Sequence, residues 1–224
     1  LCGVKMIRQQ TNNLLDSDTV SKTLLILVAV AGALILGGIS TYNGLVGKQQ
    51  GVDAAWAQVS NQYQRRADLV PNLVKTVQGS ADFEKTTLEN VVNARASVGR
   101  MTIDASKAPE TAQQLEEFQK AQGSFGSALQ RLLVVSENYP DLKASAGFRD
   151  LQAQLEGTEN RIAVERGRFN EVVKDFNTSI RKVPAVFFAG MLGFHPKPYF
   201  QAESGAEKAP DVKFDFGGQS GEAK

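Results

Sequence analysis

From Val52 to Val77 the apolar and aromatic residues recur at alternating steps of four and three. Val52, Trp56, Val59, Tyr63, Arg66, Val70, Leu73 and Val77 mark this heptad seam, which turns one face of a long helix toward other helices. Two residues break the rule. Arg66 puts a cation into the seam, and Pro71 sits where a continuing helix loses a backbone donor and clashes with the preceding turn. Local violations of this kind mark function or strain. Pro71 predicts a kink or local break, with the carbonyl of Ala67 released from its usual bond.

Just upstream, residues 23–47 carry no charge, and Leu24 to Ser40 are almost wholly apolar between Lys22 and Lys48. A bilayer span needs about 20 such residues. The rival reading is a cleaved signal peptide cut near Thr41 or Gly44, but its apolar core is usually about 7–15 residues. This run is longer, so an uncleaved anchor is expected. Lys5, Arg8 and Lys22 precede the span, whereas only Lys48 follows within twenty residues, which places the N-terminus in the cytoplasm and the rest outside. Met6 follows Leu1 closely and is a candidate start, with residues 1–5 as upstream read-through. Within the span Ala29, Ala33, Gly37 and Thr41 line up every four residues, a candidate stripe for close helix packing and homo-oligomer formation.

The remaining helices follow from the same periodicity. Gly79-Ser80 ends the first helix, Asp82 is placed to cap the second, and Phe83, Leu88, Val91, Ala94 and Val98 carry its stripe to about Arg100. Pro109 and Glu110 suit the first turn of a third helix, whose seam runs Leu115, Phe118, Gln122, Phe125, Leu129, Leu132, Ser136 and Tyr139 until Pro140 stops it. A fourth seam, Phe148, Leu151, Leu155, Thr158, Ile162, Glu165, Phe169, Val172, Phe176 and Ile180, reaches about Lys182. No strand alternation competes between 42 and 182. The expected fold is all-α: an N-terminal transmembrane helix continuing into an antiparallel up-down-up-down four-helix bundle with coiled-coil-like seams. The expected divisions are a short segment 1–22, the span 23–42, the bundle 43–182, an aromatic membrane-proximal segment 183–200 and a flexible tail 201–224.

An up-down-up-down path returns the fourth helix to the membrane. There, Phe187, Phe188, Met191, Phe194, Tyr199 and Phe200 are candidates for the lipid–water boundary, with Lys182 and Lys197 available to anionic headgroups. The alternative is that this stretch folds back and closes the base of the bundle. The tail is rich in Gly, Glu and Lys with little to bury, although its Asp211 to Phe216 patch is a candidate docking strand.

Chemistry is under-supplied. His195 is the single histidine and Cys2 the single cysteine, so neither a bundle metal site nor a nucleophile–base pair assembles, and no cofactor or catalytic residue is expected. Phosphate loops are absent, and a net charge of +1 gives no reason to expect nucleic acid. What stands out is the polar pair inside the seams. At ~1.5 Å per residue, the level of Arg66 falls near residue 161 of an antiparallel fourth helix, bracketed by Glu159 and Glu165. A buried arginine without a partner loses several kcal/mol, roughly, so a pairing with one of them is expected, with helix register as its role. The alternative is a guanidinium that snorkels out while its stem covers the seam.

The segments AAWAQV (54–59), QRRADLVPNLV (64–74), ENRIAVERGRFNEVVKDFN (159–177) and GFHPKPYF (193–200), behind an N-terminal span, resemble the LemA family of bacterial membrane proteins. The resemblance covers nearly the whole chain past residue 23, and GAEKAP (205–210) resembles the family's end. It implies a membrane-anchored helical bundle in the bacterial inner membrane. It also implies an envelope protein partner, such as a membrane metalloprotease or a TPM-domain protein, since family members are often encoded beside these. No catalytic residue carries over. The expected function is a non-enzymatic scaffold or adaptor on the lipid bilayer, with Arg65, Arg66, Asp68, Pro71, Asn72, Glu159 and Glu165 as candidate structural or interaction residues. The alternative is an anionic-ligand-binding or signal-relay module around Arg66.

Overall fold

The computed structural model describes residues 2–79, 83–100 and 106–201, with side chains from residue 21 onward. All regular structure among them is helical. The first helix, α1, runs unbroken from Cys2 to Gln78. Its apolar section, Leu24 to Ile39, leaves its large side chains exposed, and the change to bundle packing is abrupt: Tyr42 is exposed, whereas Leu45 is 2% exposed. Beyond it all eight seam positions from Val52 to Val77 are buried, Arg66 included. The seam expectation therefore holds over its full length.

Pro71 does not break α1, contrary to the expected local break. Its ring is exposed and so meets no core atom, and the carbonyl it orphans is recovered elsewhere. Arg95 Nε donates to the Ala67 carbonyl at 2.9 Å, supplying from a neighbouring helix the donor that proline lacks.

Arg95 belongs to α2, Lys85–Gly99, the shortest of the seam-bearing helices. Its start is uncapped by a side chain at Glu84, and Asp82 lies outside the described residues. The third helix, α3, is Ala112–Ser136. Pro109 and Glu110 precede rather than open it, because Thr111 forms a capping box with Gln114 that starts the helix two residues later. Seven of the expected seam residues of α3, Leu115 to Ser136, are buried. Pro140 does more than stop a helix: α3 ends at Ser136, and Pro140 opens the five-residue α4, Pro140–Ala144. The last long helix, α5, is Ala146–Arg181, capped by Ser145 Oγ accepting from the Phe148 amide.

Contacts set the directions of these helices. Arg66 meets Glu159, Trp56 meets Phe169, and the Cα of Gly51 faces Val172, so α1 and α5 are antiparallel. Two clusters fill the interior. One joins Leu45, Trp56, Tyr63, Phe118, Phe169 and Phe176; the other joins Val70, Leu73, Val91, Phe125, Leu132 and Phe148. With 15 residues, α2 spans only ~22 Å against ~54 Å for the 36 residues of α5. It covers the second cluster and leaves the first open on one side.

The chain after α5 fills that opening. A hairpin built on the 3-10 turn Ala185–Phe187 leads to Gly193, whose φ of +82° suits glycine and turns the backbone back along α5. Ala185, Ala189, Phe194 and Phe200 enter the membrane-side cluster. Phe200 stacks on Trp56 at 6.1 Å and meets Phe169 edge-on at 5.4 Å. Phe194 packs on Tyr42 and Phe176. The fold-back alternative therefore describes Phe194 and Phe200.

Candidate functional site

Two polar constructions sit on this frame. At the boundary between the clusters, Arg66 is 3% exposed and fixed from three helices. Its guanidinium donates to Glu159 Oε2 at 2.8 Å, and to the Gln122 side-chain oxygen and backbone carbonyl at 2.6 and 3.1 Å. It lies 5.2 Å from the Tyr63 ring centre and 5.1 Å from that of Phe125, within cation–π range of both. Gly126 lies beside it: a Cβ there would stand 3.6 Å from the guanidinium, an ordinary van der Waals contact. The expected pairing is with Glu159. Glu165 bonds Arg168 instead, at 2.8 Å, because it lies six residues, ~9 Å, further down α5.

Arg66 is tied rather than bare. Its partner Glu159 keeps a 60% exposed side chain, so this is an ion pair with one foot in water. A groove of about 400 Å³ opens there, lined by Gln119, Gln122, Gly123, Ser127, Glu156 and Glu159 among others. Gln122 was legible as a polar residue in a seam, yet only the level match with Arg66 gives it a partner.

The second construction is an asparagine clamp on α5. Asn177 accepts from the Lys197 amide and donates to its carbonyl, both at 2.8 Å. Asn170 does the same to Phe200, at 2.9 and 3.0 Å. The spacing is matched: seven helical residues rise ~10.5 Å, and three extended residues cover ~10 Å. Arg166 and Gln119 then hold the Gln201 carbonyl, and Arg166 covers the Phe200 ring at 4.9 Å. Neither asparagine was expected, and their one-heptad separation was the available signal.

The remaining candidates divide by exposure. Arg65, Asp68, Pro71 and Asn72 are exposed on α1, with Asp68 accepting from Gln64 at 2.7 Å. Phe187, Met191 and Tyr199 are exposed and Phe188 is half-buried. Phe194 and Phe200 are core residues, which removes them from the lipid-boundary set, since each ring is enclosed by other rings of the bundle. In the small-residue stripe, Ala29 is exposed, Thr41 Oγ1 bonds the Gly37 carbonyl at 2.8 Å, and Ala33 and Gly37 line a groove facing Phe188 and Leu192. His195 is exposed, and among the described residues no three His, Cys, Asp or Glu side chains gather as a metal site.

The model of the LemA family matches residues 55–214, well over half the chain. The chain belongs to the LemA family. Among its relatives, magnetosome protein MamQ 2 of Paramagnetospirillum magneticum is 26% identical over 212 residues, covering 86% of this chain and 76% of the relative. Magnetosome protein MamQ of Magnetospirillum gryphiswaldense is 26% identical over 197 residues, covering 80% and 70%. Protein LemA of Metamycoplasma hominis is 21% identical over 179 residues, covering 80% and 77%. None of these names denotes a reaction. The segments that carry the LemA resemblance are one another's packing partners: Trp56 from the first, Arg66 from the second, Glu159, Phe169, Asn170 and Asn177 from the third, Phe194 and Phe200 from the fourth.

Proposed function

We propose that this LemA-family chain is a non-enzymatic, bilayer-anchored scaffold of the bacterial cell envelope, displaying polar helix faces to another envelope protein. The observation that carries it is the continuity of α1, which passes without interruption from an apolar section with exposed side chains into the buried seam of the bundle. A rigid stalk of this kind couples the bundle to the membrane at a fixed height. In this reading residues 23–42 cross the bilayer once, the N-terminus is cytoplasmic and the bundle lies outside. Arg65, Asp68 and Asn72 form an exposed polar stripe on α1, clear of the bundle's own contacts, and are the proposed contact face.

Against the ligand-binding alternative stands the engagement of Arg66 by a carboxylate and the oxygens of Gln122. Site-specific photocrosslinkers at positions 65, 68 and 72, compared with exposed Val164 on α5, test the scaffold reading in intact membranes. Adducts with one envelope protein at the α1 positions and none at 164 are expected. Self-adducts alone, or none, overturn it.

A further inference from the structure

We propose that residues 183–194 form an apolar wedge sunk into the hydrocarbon of the leaflet on the bundle side. This rests on the anchoring reading above and adds a second membrane element to it. Between Lys182 and His195 the chain carries no polar side chain at all. Its inward-facing Ala185 and Ala189, four residues apart, already close the base of the bundle. Among the described residues nothing covers the outward side chains: Phe187 is 77% and Met191 88% exposed, and Val183 is exposed beside them.

Position makes this exposure informative. Pro184, Phe188 and Leu192 line an apolar groove of about 640 Å³ whose opposite wall is Ala33 to Tyr42 of α1. Nine residues separate Ala33 from Tyr42, a rise of ~14 Å, which is about half the ~30 Å hydrocarbon thickness. The hairpin therefore lies beside the span, at depths the span itself occupies. Tyr42 lines the groove, and Arg181, Lys182 and Lys197 flank the hairpin in the chain, residue types that favour the headgroup boundary.

Seven of the eleven backbone amides from 183 to 194 donate to carbonyls of the same segment or of Lys182, which lowers the cost that lipid places on unsatisfied polar groups. The amide of Val186 donates to the Lys182 carbonyl, that of Phe187 to Pro184, those of Phe188 and Ala189 to Ala185, that of Leu192 to Phe188 and Ala189, and that of Phe194 to Ala189. The occupant of the groove between hairpin and span is then the acyl chains of that leaflet.

Nitroxide labels test this on the full chain in phosphatidylcholine–phosphatidylglycerol vesicles, with Cys2→Ser removing the native thiol. Labels go on Phe187→Cys and Met191→Cys, with Leu34→Cys in the span and Arg168→Cys on exposed α5 as references, and helix content is checked for each. The wedge predicts that 187 and 191 shift from the water-like pattern of 168 to the lipid pattern of 34, with high oxygen and low nickel-chelate accessibility. Water-like labels at 187 and 191 with a lipid-like 34 overturn the wedge and leave the anchor standing. Labels closed to both reagents place a second protein surface there and also overturn it. A water-like 34 overturns both readings.

Discussion

The two halves of the bundle are closed by different means. Away from the membrane, α1, α2, α3 and the start of α5 surround Val70, Leu73, Val91, Leu129 and Leu132, a mainly aliphatic core made by four helices. On the membrane side α2 is missing, and the fourth wall is the stretch from Ala185 to Phe200, a 3-10 turn and hairpin followed by extended chain, with Ala108 of the α2–α3 connection held by Asp53 at 2.9 Å. Aromatic rings suit that half because extended chain offers few side chains per unit length, and each ring buries a large area. A short helix thus shifts part of the packing onto a segment held by side-chain hydrogen bonds. Arg66 stands at the boundary.

The largest effect expected separates the halves. Trp56→Ala should lower stability by about 3–5 kcal/mol and Leu73→Ala by about 2–5 kcal/mol in urea titrations. Only the first should speed hydrogen exchange at the Lys197 and Phe200 amides, since Phe200 stacks on Trp56. Equal exchange in both variants breaks the comparison. The boundary comes next: Arg66→Met should lose about 1–3 kcal/mol by orphaning Gln122. Adding Gln122→Leu should recover that loss or exceed it by about 1–4 kcal/mol, because an apolar seam then joins the two clusters. If the double variant also keeps a single helix register by cysteine crosslinking between α1 and α5, register is not the role of Arg66.

Smaller effects sharpen the picture. Asn170→Ala removes both bonds to Phe200 and should cost about 1–2 kcal/mol, seen as faster exchange confined to the membrane-side extended segment. Arg95→Leu should cost about 1 kcal/mol by orphaning the Ala67 carbonyl. In a Pro71→Ala background the residue-71 amide returns as donor, and the same substitution should fall toward zero, a coupling that a double-mutant cycle measures.

Much of this was legible. All eight α1 seam positions and seven on α3 are buried as the periodicity requires. On α5 the pattern drifts: Val173 is buried where Val172 was expected, because 3.6 residues per turn slips by about 20° per heptad against a strict seven-residue repeat over so long a helix. The capping box at Thr111 and Gln114 was readable as a short motif and sets a helix start that proline alone placed too early. The asparagine clamp was not readable in this way. Asn177 looks in sequence like the acceptor of a glycosylation motif, yet it is buried against Lys197, and the extended partner that buries it adjoins it only in the folded chain.

The helices, the face each one buries, the apolar span, the family resemblance and the level at which Arg66 finds a carboxylate are all written in the order of residues along the chain. These follow from periodicities of a few residues and from rise per residue, which are local properties. Tertiary structure alone decided which glutamate is used, that Gln122 completes the site, that Arg95 repairs the proline gap, and that Phe194 and Phe200 are core while Phe187 and Met191 face outward. Each of those depends on a contact between residues far apart in the chain, and periodicity carries no information about which distant surface is left uncovered when α2 ends early.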